Sequence, residues 1–155
     1  MHEMSTEMDT EGNEDEAGIR VGVDLCAVAD VAAAIERFGD RYLHAVYTAD
    51  ELAYCAAGGT ARADRLAARF AAKEATMKVL RPDDTGIDLR SIEIRRQPGG
   101  WCDIHLAGSA AVLAARARID GLAVSMSHEG GMAAAVVIAG TSSGADTSKG
   151  QRREH

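Results

Sequence analysis

The longest helical pattern in the chain constrains its fold more than any other feature. It runs over residues 61–80, Ala61-Arg-Ala-Asp-Arg-Leu-Ala-Ala-Arg-Phe-Ala-Ala-Lys-Glu-Ala-Thr-Met-Lys-Val-Leu80, and Pro82 follows at the distance of a helix stop. Leu66, Phe70, Glu74 and Lys78 are spaced by four and share one face. Leu66 and Phe70 mark that face as buried, so a carboxylate continuing the stripe is costly unless something compensates it. Periodicity alone leaves two readings open. One is an i,i+4 ion pair between Glu74 and Lys78 on a fraying edge. The other is a metal-binding carboxylate beside a cationic clamp for a substrate.

The elements around this helix alternate between strands and shorter helices. Ile19-Arg-Val-Gly-Val-Asp-Leu25 reads as a strand, and an Ala-rich helix over 28–38 follows it, stopped by Gly39. Thr48-Ala-Asp-Glu51 is the start signature of a further helix, with Thr48 capping and Glu51 reaching back, ending near Gly58-Gly59. Residues 91–96 and 101–107 read as two strands around Gln97-Pro-Gly-Gly100. A short helix from Ser109 to about 118 precedes a second strand pair, 122–127 and 132–139, split by the turn Ser127-His-Glu-Gly-Gly131. The order is strand, three helices, hairpin, helix, hairpin. Hairpins imply antiparallel pairing, so the class is α+β, in one domain. Aromatic residues make up only 4% of the chain, so its core must be built from Ala, Val, Leu and Ile.

Charge delimits that domain. The formal net charge is −7, from 17 Lys and Arg against 24 Asp and Glu. Seven of the acids lie in residues 1–18, which carry no Lys or Arg, and residues 141–155 hold three bases and two acids. That leaves 14 bases and 15 acids in 19–140, a net of −1. Residues 1–18 read as a disordered acidic tail, 19–140 as the folded domain and 141–155 as a flexible tail. A whole-chain acidity argues against nucleic acid as a partner. The cations of 62–81 (Arg62, Arg65, Arg69, Lys73, Lys78, Arg81) still suit a polyanionic cofactor. Cys26, Cys55 and Cys102 are unclustered, which reads as free thiols in the cytoplasm and makes a zinc site a poor expectation. There is no signal-peptide pattern and no apolar stretch of membrane-spanning length, so no membrane is expected.

Two more residues carry potential chemistry. Asp24 sits near the end of an apolar strand, two residues after Gly22; it is either the N-cap of the next helix or a ligand. With Glu74 it would offer two hard oxygens, a set that suits Mg²⁺ completed by waters and phosphates. His128, between Ser127 and Glu129, would bind a phosphate or shuttle a proton if it is not simply exposed. No GxxxxGK[ST], GxGxxG or GxSxG pattern is present.

In combination these signals resemble one family, the 4′-phosphopantetheinyl transferases of the small holo-acyl-carrier-protein synthase type. Val21-Gly-Val-Asp-Leu25 is similar to its opening Gly-x-Asp strand. Arg69-Phe-Ala-Ala-Lys-Glu-Ala75 with Lys78 is similar to its signature helix, the most specific block. Val124-Ser-Met-Ser-His-Glu129 with Ala133–Ile138 is similar to its closing hairpin, and Phe38-Gly-Asp-Arg-Tyr-Leu43 and Thr48–Glu51 also fit. The likeness covers about 19–140.

The resemblance implies transfer of 4′-phosphopantetheine from coenzyme A to a serine of an apo acyl or peptidyl carrier protein, releasing 3′,5′-ADP. It implies Asp24 and Glu74 as Mg²⁺ ligands, Glu74 as the group taking the serine proton directly or through a water, and Lys78 as a phosphate stabiliser. Arg69 and His128 become partners for coenzyme A phosphates, Lys73 has no assigned role, and a homotrimer with sites shared between neighbours is expected. The chain departs from the pattern at Asp30, where the family usually has an arginine that meets the acidic carrier, and at Ala27, which replaces an acid. Arg81-Pro-Asp-Asp-Thr-Gly86 and Gly100-Trp101-Cys102 also differ from the usual turns. These departures bear on carrier choice, and point to a specialised carrier, as in secondary metabolism, over the fatty-acid one. The alternative is a non-catalytic relative that binds coenzyme A or a carrier without transfer.

Overall fold

A computed structural model describes residues 17–84 and 86–143. Strand β1 (Gly18–Ala27) leads directly into helix α1 (Val28–Phe38). Gly39, at φ 55°, ends α1 with its N–H on the Ile35 carbonyl at 2.7 Å, a position that favours glycine. Helix α2 (Asp40–Val46) follows at once. The sequence reading assigns its seven residues to no element, because Gly39 reads as a helix stop. Helix α3 (Ala49–Ala56) starts with the expected capping box: Thr48 Oγ1 accepts from the Glu51 N–H at 3.3 Å, and Glu51 Oε2 accepts from the Thr48 N–H at 2.9 Å.

Helix α4 (Arg62–Leu80) is the long helix read from the sequence. The hairpin of β2 (Ile92–Arg96) and β3 (Cys102–Leu106) comes next, then α5 (Gly108–Arg116), β4 (Ile119–Glu129) and β5 (Met132–Thr141). All pairing is antiparallel, in a three-stranded sheet of order β1-β5-β4 and a two-stranded β2-β3 ribbon, which makes the fold α+β as expected.

Both domain edges lie slightly outside the limits drawn from charge. Gly18 opens β1 and Thr141 closes β5, and the two are register partners, with the Gly18 N–H donating to Thr141 Oγ1 at 3.0 Å. The rest of the acidic tail and of the C-terminal tail falls outside the described residues, apart from residue 17 and residues 142–143.

Helix α4 lies across one face of β1 and β5, and small residues permit the approach. A Cβ added to Gly22 would stand 2.0 Å from the Ala75 carbonyl oxygen, so only glycine allows β1 and α4 to meet at this height. Ala71, Ala75, Ala133, Ala135 and Ala139 are all buried in this core with Leu66, Val79, Val137, Ile92 and Ile94. Aliphatic side chains dominate it, as the scarcity of aromatic residues requires, although Tyr47 is also buried, its hydroxyl donating to the Leu66 carbonyl at 3.1 Å. The opposite face of the sheet is apolar and uncovered: Ile19, Val21, Val23 and Leu25 of β1, with Val136 and Ile138 of β5, are all exposed.

Candidate active site

Because Gly22 faces α4, alternation along β1 turns Asp24 to the same side. It meets the C-terminal half of α4 there. Lys78 Nζ lies 3.0 Å from Asp24 Oδ1 and donates to the Val23 carbonyl at 2.6 Å. The Asp24 side chain is 18% exposed and that of Lys78 is 53% exposed, so the pair opens to solvent at one end of the seam. Glu74, one turn earlier, is half-buried. Burial raises its pKa above the ordinary 4.5, the nearby Asp24 charge raises it further, and Lys78 opposes both. The structure therefore brings Asp24, Glu74 and Lys78 together.

Two readings from the sequence are corrected by this geometry. Asp24 does not cap α1: the N-cap position is Ala27, which makes no side-chain cap bond, and Asp24 is three residues back inside β1. Lys78 bridges to Asp24 on β1, with no Glu74–Lys78 ion pair among the described residues. The stripe from Leu66 to Lys78 shares a face as expected, but that face climbs out of the core, from buried at Leu66 to exposed at Lys78.

Arg69 sits five residues before Glu74, about 7.5 Å back along the helix axis at 1.5 Å per residue. Its side chain is 3% exposed. The guanidinium lies over the Tyr54 ring, 4.3 Å from the centroid, and Arg65 lies over the same ring at 4.7 Å. Arg69 Nη1 donates to the Arg65 carbonyl, and its Nε is buried with no hydrogen-bond partner. A buried donor left unpaired is costly, and a bound anion would satisfy it.

His128 was expected in a turn and instead belongs to β4; the turn is only Gly130-Gly131, at φ 59° and 79°. The left-handed pair makes a tight two-residue hairpin, so the polar Ser127-His128-Glu129 run can continue the strand. In register, His128 pairs with Ala133, which pairs with Cys26; Met126 pairs with Ala135, which pairs with Asp24. Residues opposite one another share a sheet face, so His128 and Met126 stand on the side where Asp24 meets α4.

His128 and Arg69 line one cleft of about 320 Å³, with Arg65, Arg96, Tyr54 and Met126 also contributing. Among the described residues, three arginines and a histidine line it, and no carboxylate does. Sequence reasoning singled out Arg69 and His128 but not Tyr54 or Arg96. Arg65 did carry a signal, since it falls in the cationic run of α4; Tyr54 and Arg96 reach the cleft only through tertiary packing. The two sites thus share α4, whose Arg65 and Arg69 line the cleft while Glu74 and Lys78, further along, meet Asp24 of β1.

Comparison with known proteins identifies the family. The family model for the 4′-phosphopantetheinyl transferase superfamily matches residues 20–137. The holo-[acyl-carrier-protein] synthase of Desulforudis audaxviator is 44% identical over 119 residues, 77% of this chain and 90% of that protein. The enzyme of the same name from Gloeobacter violaceus is 41% identical, over 76% of this chain and 89% of its own length. Among solved structures, the ACPS–CoA complex of Chronobacterium ammoniagenes superposes with a TM-score of 0.69 at 26% identity, covering 79% of this chain and 96% of that one. The chain belongs to the 4′-phosphopantetheinyl transferase superfamily.

Proposed function

We propose that this protein is a holo-acyl-carrier-protein synthase, transferring 4′-phosphopantetheine from coenzyme A to a serine hydroxyl of an apo carrier protein and releasing 3′,5′-ADP. The observation that carries the reading is the convergence of Asp24, Glu74 and Lys78 at the β1–α4 seam, beside a cleft lined by Arg65, Arg69, Arg96 and His128.

The chemistry follows from these groups. The serine oxygen attacks the phosphorus that bears pantetheine; the bond from that phosphorus to the bridging oxygen breaks, and 3′,5′-ADP leaves. Glu74, directly or through a water, takes the serine proton as a general base. Lys78 spends two donors on Asp24 and Val23, which leaves one of its three N–H bonds for a phosphate oxygen. Arg69 and His128 receive coenzyme A phosphates, and the unpaired Arg69 Nε is one donor such an anion would satisfy.

Asp24 and Glu74 fit Mg²⁺. They are two hard oxygen donors held close enough for the charge of one to raise the pKa of the other. No group of three or more Asp, Glu, His or Cys is placed to bind a metal among the described residues. Two carboxylates, with waters and substrate phosphates completing the shell, is the donor set Mg²⁺ favours. When bound there, the ion supplies charge neutralisation on the diphosphate.

The homotrimer expected from the family resemblance is supported by the uncovered apolar face of β1 and β5. Cys26, Cys55 and Cys102 are all free, in keeping with a cytoplasmic enzyme, and no described helix is long and apolar enough to cross a membrane. On carrier choice, Asp30 in the first turn of α1 favours a specialised carrier over the general fatty-acid one, because it sets a like charge against an acidic carrier helix.

The test is to incubate the protein with Mg²⁺, coenzyme A and a panel of apo carriers and to weigh the carriers by mass spectrometry. A gain of one phosphopantetheine that disappears in Glu74→Ala is expected. Coenzyme A binding with no mass gain on any carrier would replace the transferase with a binding module.

A further inference from the structure

Lys73 belongs to the signature block of α4, yet it bonds to none of Asp24, Glu74, Lys78, Arg69 and His128. Its side chain is wholly buried. Nζ lies 2.8 Å from Glu51 Oε2, donates to the Leu89 carbonyl at 2.9 Å and donates to the Ile92 carbonyl as well. An ammonium has three donors, and all three are used. Glu51, 2% exposed, is equally committed. Its Oε2 also accepts from the Thr48 N–H, and its Oε1 accepts from the Ile94 N–H at 2.9 Å. One carboxylate thus closes the cap of α3, neutralises a lysine of α4 and fixes the backbone of β2.

These connections matter because the cationic cleft is assembled from separately held pieces. Arg65 and Arg69 ride on α4, which Gly22 seats on β1, and His128 rides on β4, tied to β1 through the β5 ladder. Tyr54 and Arg96 ride on α3 and β2, which lie outside that sheet. Glu51 is about one turn before Tyr54 on α3, and Ile94 is two residues before Arg96 on β2. The Glu51–Lys73 pair joins these two carriers to α4 within about one helical turn of Tyr54 and two residues of Arg96.

We infer that Glu51 and Lys73 are positioning residues for the coenzyme A phosphate cleft, holding Tyr54 and Arg96 against Arg65 and Arg69 without touching the ligand themselves. The inference rests on the reading of that cleft as the coenzyme A site. Stability alone gives little reason for the pair, since well-packed neutral side chains of similar volume often replace a buried ion pair at no loss. Directional bonds to three backbone carbonyls and amides of β2 and the segment before it supply what apolar packing does not, a fixed orientation.

The test uses the full chain and two kinds of variant. Lys73→Met alone strands a buried carboxylate and is expected to lower the melting temperature sharply. The double variant Glu51→Gln/Lys73→Met removes both charges and is expected to fold. In that folded double variant, assayed well below its melting temperature, the KM for coenzyme A should rise about tenfold while kcat stays within about twofold, the split expected when ground-state orientation is lost. The Kd of coenzyme A, measured by calorimetry without a carrier, should rise by the same factor. A double variant with wild-type Kd and KM would overturn the inference and leave the pair a structural element. Wild-type protein that binds coenzyme A but modifies no carrier would sink the transferase reading alone, and the Kd comparison would still support or overturn the positioning role.

Discussion

Glu74 and Asp24 stand as two like charges at one seam, half-shielded from water, with Lys78 drawn to Asp24. Burial first, and the Asp24 charge second, raise the Glu74 pKa above the ordinary 4.5. The native state therefore holds a proton on Glu74 over a pH range where the unfolded chain has released it. Stability falls as pH rises from the ordinary value through the raised one, and the cost is fully present above it. Glu74→Gln should accordingly melt higher than the wild type at neutral pH without Mg²⁺, with the gap closing as pH falls below the ordinary carboxylate value. The same variant should lose about 10²–10⁴-fold in transfer rate, the range for a lost general base. Thermal melts across pH, paired with a transfer assay, check both; a Gln variant no more stable than wild type at neutral pH would show that Glu74 carries no such penalty.

Lys78 should separate catalysis from stability in the other direction. Its bridge to Asp24 is more than half exposed on the lysine side, and ion pairs of that kind contribute about 0–1 kcal/mol. Lys78→Met keeps the aliphatic stem, so its melting temperature should stay close to that of the wild type. The rate should fall about 10²–10³-fold if the ammonium stabilises charge on the transferred phosphate. Chemical denaturation and steady-state kinetics on one preparation decide the matter, and a retained rate would remove Lys78 from the reaction.

The Gly22 contact makes a prediction about geometry. A methyl group at this position meets the backbone oxygen of Ala75 at 2.0 Å, and a backbone atom cannot swing aside as a side-chain tip can. Gly22→Ala should push α4 away from β1, at a cost of at least the about 1–3 kcal/mol typical of overpacking. Separation of the two elements also parts Glu74 and Lys78 from Asp24, and a displacement of about 1 Å can cost about 10²-fold in rate. The rate should thus drop even at temperatures where circular dichroism reports a folded protein; full activity there would mean that the seam adjusts elsewhere.

What could be read from the sequence depended on whether local signals determined the outcome. Helix α4, the capping box at Thr48 and Glu51, and the stop at Gly39 follow from patterns within a few residues, and all appear in the structure. Helix α2 was missed because Gly39 reads as the end of one helix and not as a joint between two. His128 was misplaced because Ser-His-Glu is turn-like in composition, while the register with β5 carries it as strand up to Glu129. Burial of Lys73 was invisible for a different reason. Its counter-charge comes from Glu51 on another helix and its other acceptors are backbone carbonyls, none of which has a signature at the position of the lysine. The pairing of Lys78 with Asp24 was equally hidden, since helical spacing offers Glu74 as the nearer partner and only the seating of α4 on Gly22 brings β1 within reach.

The uncovered sheet face gives the last prediction. Val21 is 59% exposed, and by register Val21 sits beside Ile138, itself exposed, with Val23 and Val136 as the next such pair. Full burial of a side chain of this kind is worth about 1.5–3 kcal/mol relative to leaving it in water, so a row of them favours association of identical chains. A lysine placed in the row would have to bury its charge or stay in water, and the first is strongly opposed. If this face closes the proposed homotrimer, the wild type should sediment as a trimer and Val21→Lys as a monomer in analytical ultracentrifugation. Its side chain points away from α4, so the monomer should keep its helical circular dichroism while losing transfer activity if neighbouring copies complete the site. A Val21→Lys protein that remains trimeric would place the interface elsewhere, and one that is monomeric and fully active would confine the whole reaction to a single chain.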